Sequence, residues 1–192
     1  MAADNTLALN GVENLVQMAV AGRNPEVQVV VQAEFSPTQF QQVGCTSACI
    51  GRSNYNTVRY VLDGSVATTS SNPFMGTVTD IGNRNMTDPA QLTEFMQWAR
   101  TTAPSQHTML VLWNHGAGAG GLITDDTSAP HAIMSLSQLA TALAGGGAVD
   151  VIDFDMCLMG GYETLATIQK YASAVVASEE TEPGDGEDYT GM

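Results

Sequence analysis

Val149-Asp150-Val151-Ile152-Asp153-Phe154-Asp155-Met156-Cys157 is an apolar run that ends in a thiol. A second run, Thr108-Met109-Leu110-Val111-Leu112-Trp113-Asn114-His115, ends in an imidazole and is followed at once by Gly116. Runs of this kind read as strands buried on both faces, the habit of a parallel sheet. Forty-two positions separate His115 from Cys157, room for a crossover helix that sets two parallel strands side by side. The pattern predicts an α/β fold in which a thiol and an imidazole reach one edge of a parallel sheet.

The elements around these runs fit that expectation. Between them, Ser135 and Gln138 form the pattern of a capping box for a helix over 136–144, which Gly145-Gly146-Gly147 stops. Before the His115 run, Asp88 is placed to cap a helix that Pro89 opens and Pro104 closes, with Leu92, Phe95, Met96 and Ala99 as its apolar stripe. After Cys157 a helix is expected from about Met159 to Ala172, then a short strand over 173–178. Nearer the start, Val12, Leu15, Val16 and Val20 mark one face of a helix over 9–21. Residues 26–35 and 57–62 read as strands, 36–56 as a loop, and Asp63-Gly64 as a hairpin turn into a ribbon over 65–69. Strand and helix alternate, as in an α/β layer fold.

Composition narrows the function classes. A chain of 192 residues, 44% hydrophobic and 14% charged, is one domain by size. Six Lys and Arg against 20 Asp and Glu give a net charge of -14, which argues against nucleic acid and anionic membrane as partners. No stretch has the length of a transmembrane helix, and Met1-Ala2-Ala3-Asp4-Asn5 lacks the basic start of a signal peptide. Cys45 and Cys49 lie four apart and read equally as a small disulfide or as two free thiols.

Ligands of open α/β sheets collect beyond the carboxyl ends of the strands. Three segments are expected there: His115, Cys157 and the stretch starting at Ser178. Taken singly, a strand cysteine is a small hydrophobe and a strand histidine a satisfied core residue. At the ends of two strands of one sheet, the pair points instead to nucleophilic catalysis, the imidazole taking the thiol proton. The N–H groups of Gly116 and Cys157 are candidates for an oxyanion hole. The start of the next helix would add partial positive charge, and Gly160 and Gly161 would let backbone approach a substrate.

Three motifs carry a resemblance. Asn114-His115-Gly116-Ala117-Gly118, Asp155-Met156-Cys157-Leu158-Met159 and Ser178-Glu179-Glu180-Thr181-Glu182-Pro183-Gly184-Asp185-Gly186 closely resemble the clostripain family of cysteine peptidases, which have a caspase-like fold. The resemblance runs through nearly the whole chain and implies a three-layer α/β/α sandwich with a mainly parallel sheet. It implies a single catalytic domain over 1–192 that lacks the family's first strand and its C-terminal part. It further implies a His115–Cys157 dyad, no cofactor for the chemistry, room for a structural Ca²⁺, and cleavage of a peptide or protein substrate after Lys or Arg. Asp155 and Asp185 match the positions that give the pocket for the basic side chain its acidity, with Ser178 and Glu179 beside the substrate. A carboxylate is the physical partner such a side chain needs. An exported bacterial protein, secreted or in the cell envelope, is the implied setting.

Departures temper these expectations. Gly120-Gly121 and Glu187 stand where the family often carries Trp, which motivates an alternative: a weak or inactive module that binds basic peptides. No Lys or Arg occurs from Thr101 to Gln169, so self-cleavage after a basic residue is not expected between the catalytic motifs. His115, Asp125, Asp126 and His131 could be read as metal ligands, but their spacing matches no tight ligand signature.

Overall fold

The structure is a computed structural model that describes residues 1–63 and 76–191, without the side chain of Cys49. The ribbon expected over 65–69 lies outside the described residues. The described chain forms two compact units, Asn85–Pro183 and Met1–Arg84 with Gly184–Met192.

In the unit of residues 85–183, the two runs that open the sequence analysis form adjacent parallel strands. Strand β5 (Met109–Trp113) pairs with β8 (Val149–Asp155), and β8 pairs on its other side with β9 (Ala172–Val176), also parallel. The central strand is the most buried, and its Ile152 and Phe154 are fully buried. Helix α3 spans Pro89–Thr102, and the Asp88 carboxylate accepts from the Ala90 N–H as its cap. Helix α4 spans Leu136–Gly146 with both halves of the Ser135/Gln138 capping box formed.

Helix α4 runs two residues past the expected stop. Added Cβ atoms at Gly145 and Gly146 would strike Thr93 and Met96 of α3, so these glycines set how closely the helices pack. Gly147, at φ 85°, ends the helix. Side chains of α3 reach the last carbonyls of α4: Gln97 donates to Gly145 and Arg100 to Gly146.

Two expectations for this unit need correction. The segment read as a loop after His115 carries a small hairpin, β6 (Leu122–Thr124) with β7 (Ile133–Met134). The helix after Cys157 is short: α5 runs only from Tyr162 to Ile168. Gly160 and Gly161 are poor helix formers, and residues 156–161 serve a loop instead.

The other unit holds a mixed sheet of order β1-β2-β3-β4. Its strands are β1 (Ala2–Ala3), β2 (Val29–Phe35), β3 (Val58–Leu62) and β4 (Thr77–Asp80). Only the β1–β2 pairing is parallel; β3 lies antiparallel to β2, and β4 to β3. Helix α1 (Ala8–Ala21) buries Ala8, Leu15, Met18 and Ala19, while Val16 and Val20 stay exposed. The helix is apolar on more than one face, so periodicity placed Leu15 correctly but Val16 and Val20 wrongly. A short α2 (Pro37–Gln42) stands in the segment read as loop. Cys45 is disulfide-bonded.

Candidate active site

Trp113 and Asp155 are register partners at the ends of β5 and β8. His115 and Cys157 each lie two residues beyond that pair, so the chain brings both to the same end of the sheet. Both are half-buried, and Cys157 is a free thiol. The two turns touch through backbone: an added Cβ at Gly116 would strike the Cys157 carbonyl oxygen, and would lie 3.0 Å from Met156 Cβ and Met159 Cγ.

The His115 turn is tied down by β6. The His115 carbonyl accepts from Ile123 N–H at 3.1 Å, and Ala117 N–H donates to Gly121 at 2.9 Å. Gly116 and Leu122 face each other between those two bonds, so both main-chain polar groups of Gly116 point away from β6. Among the described residues, neither the Gly116 N–H nor the Cys157 N–H donates to another group of the chain. Asn114 completes the tie: its amide donates to the Thr124 carbonyl, and its oxygen accepts from Thr124 and His115 N–H groups. Asn114 opens the first of the three motifs, but nothing in the sequence assigned it a role.

Burial holds the His115 imidazole below its ordinary value, and the negative charge of Asp126 pulls partly the other way. Near neutral pH the ring is therefore neutral, the form that accepts a proton.

The segment after β9 forms the third side of the site. Gly160 N–H donates to Ser178 at 2.7 Å, and Leu158 N–H donates to Glu180 at 2.9 Å. Glu182 N–H then approaches the Cys157 sulfur at 3.4 Å. These three contacts hold the bend at 178–182 against the turn at 157–160. The space at Gly160 is taken by Ser178 and Glu179, whose backbone atoms lie about 3 Å from an added Cβ; it is not open to a substrate. Leu158, next to the thiol, sits at φ 65°, a conformation that costs a non-glycine residue energy and is retained where surroundings impose it.

The remaining candidates fall as follows. Asp155 is buried at the end of β8, Ser178 is half-buried, and Glu179 is exposed. Asp185 belongs to the other unit, where Asn10 donates to its carboxylate at 3.4 Å and Asn14 to its carbonyl at 2.9 Å. Helix α5 starts at Tyr162, with Gly161 as its cap, rather than near Met159 as expected. The metal reading finds no support: Asp125 accepts from Met86 and Ser128 N–H groups, both at 2.8 Å. Among the described residues, His115, Asp125, Asp126 and His131 do not converge as a ligand set. Gly121 has a steric reason to differ from Trp: its φ is 114°, and an added Cβ would lie 2.5 Å from the Met134 carbonyl oxygen.

No curated protein matches the chain. Among the solved structures that share its fold are the following three. A secreted C11 cysteine protease from Bacteroides thetaiotaomicron, in complex with an irreversible peptide inhibitor, has a TM-score of 0.68 at 20% identity. An inactive zymogen C11 protease from Parabacteroides distasonis has 0.68 at 19%. A second structure of a secreted Bacteroides thetaiotaomicron C11 cysteine protease, iotapain, has 0.66 at 12%. Each similarity covers 98–99% of this chain and about half of the other, 49–53%, so the chain spans about half the length of these proteins. The fold is thus the α/β, caspase-like one that the motifs implied, with its parallel sheet at β5, β8 and β9. The clostripain family model, peptidase family C11, matches residues 1–192, and the chain belongs to that family.

Proposed function

We propose that the chain is a cysteine endopeptidase, a hydrolase that cleaves peptide bonds after Lys or Arg through an acyl-enzyme. One observation carries the reading: the Trp113–Asp155 register, which sends His115 and Cys157 out of one end of one sheet. In the proposed reaction the Cys157 thiol gives its proton to the neutral His115 ring, and the sulfur attacks the substrate carbonyl carbon. The carbonyl π pair moves to oxygen, which the Gly116 and Cys157 N–H groups receive. General-base help of this kind typically supplies about 10²- to 10⁴-fold, and one oxyanion donor about 10²- to 10³-fold. As the intermediate collapses, the C–N bond breaks and the amine takes the proton from His115. Water, deprotonated by the same ring, then hydrolyses the thioester.

Asp155 and Asp185 are the proposed partners of the basic side chain, with Ser178 and Glu179 beside the substrate; the role of Asp185 rests on the motif alone. No cofactor enters these steps. A structural Ca²⁺ would show as a chelator-dependent fall in melting temperature. Among the described residues no helix is long and apolar enough to cross a membrane. A secreted bacterial setting is proposed from the similarity in fold to a secreted protease of Bacteroides thetaiotaomicron.

The test is turnover of peptides that end in Lys or Arg before a reporter amide. Cleavage by the parent and its loss in Cys157→Ala are expected. Full turnover by Cys157→Ala would discard the nucleophile, and equal turnover of a Leu-ended peptide would discard the specificity.

A further inference from the structure

We infer that the main-chain N–H of Glu182 is a further catalytic group, the donor that holds the sulfur of Cys157 as a thiolate. The inference rests on the proposed role of Cys157 as nucleophile and assigns one more atom to that site. Two contacts of Glu182 meet the sulfur: its N–H at 3.4 Å and its carbonyl oxygen at 4.0 Å. The longer contact suits a thiol, whose S–H points toward the carbonyl. Once that proton passes to His115, the shorter contact becomes a hydrogen bond to a full negative charge, the stronger kind.

The donor is held in place by the chain around it. Ser178 and Glu180 accept from Gly160 and Leu158 at 2.7 and 2.9 Å, and the Ser178 hydroxyl accepts from Glu180 N–H at 3.0 Å. Glu182 follows Glu180 by two residues, so the two bonds that fix the nucleophile turn also anchor the segment that carries this N–H. Pro183 follows, and a residue before proline is held to extended backbone. The approach depends on Gly160, where a side chain would push Ser178 and Glu179 away.

An aimed donor answers a need of this site. The helix that could have helped starts only at Tyr162. His115 is the cationic partner once it has taken the proton. The Glu182 N–H adds positive potential at the sulfur without adding a titrating group.

The experiment compares Glu182→Pro, which removes the N–H, with Glu182→Ala, which keeps it. Alkylation of Cys157 by iodoacetamide is followed across pH by mass spectrometry. Glu182→Ala should match the parent, whereas Glu182→Pro should react about tenfold more slowly near pH 6, as the loss of one bond to a charged group implies. The rates should converge at high pH, where the thiolate forms regardless and a more basic sulfur is the better nucleophile. Superimposed profiles for the two variants, or an equal loss in both, would overturn the assignment. If Glu182→Pro does not fold, the ¹⁵N-labelled parent decides: the Glu182 amide proton should shift with the same pH midpoint as alkylation and stop doing so in Cys157→Ala. An amide that does not titrate overturns the inference. Loss of turnover in Cys157→Ala with no Glu182 effect would leave the nucleophile standing and remove only this donor.

Discussion

Gly116 and Cys157 meet backbone to backbone, so closely that a methyl group on the Gly116 α-carbon would strike the Cys157 carbonyl oxygen. Contact of this kind locks the imidazole turn to the nucleophile turn and leaves the Gly116 N–H free to meet a substrate. Gly116→Ala should therefore part the two turns. A fall in kcat of about 10²-fold is expected, the usual consequence of losing one oxyanion donor. Steady-state kinetics on a Lys-ended peptide would check it; unchanged kcat would show that the contact is incidental.

Protonation of His115 should be displaced to acid. Burial lowers its affinity for a proton, and Asp126 opposes that shift. The midpoint of the His115 ring resonances in an NMR titration should lie below 6.5, and Asp126→Asn should move it lower still. The linkage has a definite sign. The unfolded chain takes the proton first, so stability is intact above pH 6.5 and is lost as pH falls through the folded midpoint. A midpoint above 6.5 would contradict the burial.

Gly121 should resist substitution. It joins a backbone angle of φ 114° to a carbonyl 2.5 Å from any added Cβ. Gly121→Ala is expected to cost about 1–3 kcal/mol, the usual range for imposed backbone strain. A thermal melt would measure it, and an unchanged melting temperature would mean that the β6–β7 hairpin shifts freely.

Asp125 should prove structural. It is buried and accepts two main-chain N–H bonds from Met86 and Ser128. Asp125→Ala strands both donors and should cost about 2–4 kcal/mol in denaturant unfolding. Asp125→Asn, which keeps one acceptor, should cost less. Equal losses would point to the charge rather than to the hydrogen bonds.

Much of this site was legible before any coordinates, because its rules are local. The run ending at Trp113 is wholly apolar and the run ending at Asp155 sets Val, Ile and Phe between its three Asp residues, so both read as strands, and their parallel pairing follows from the helix between them. Asp88-Pro89 and the Ser135/Gln138 box mark helix starts by chemistry that acts over a few residues. His115 and Cys157 needed only their places at strand ends.

What escaped the sequence depends on atoms far away in the chain. The buried face of α1 was chosen by what packs against it: Leu15 is buried as expected, but Met18 and Ala19 join it in place of Val16 and Val20. The exit of Cys157 into a tight loop rather than a helix is imposed by Ser178 and Glu180, some twenty residues on. The same is true of the room at Gly160, the strain at Leu158 and the donor at Glu182. Pro183 hinted that Glu182 is extended, but not what it faces. Apolar patterning and capping act along the chain and can be read there; who occupies the space beside a sulfur is decided only when β5, β8 and β9 close together.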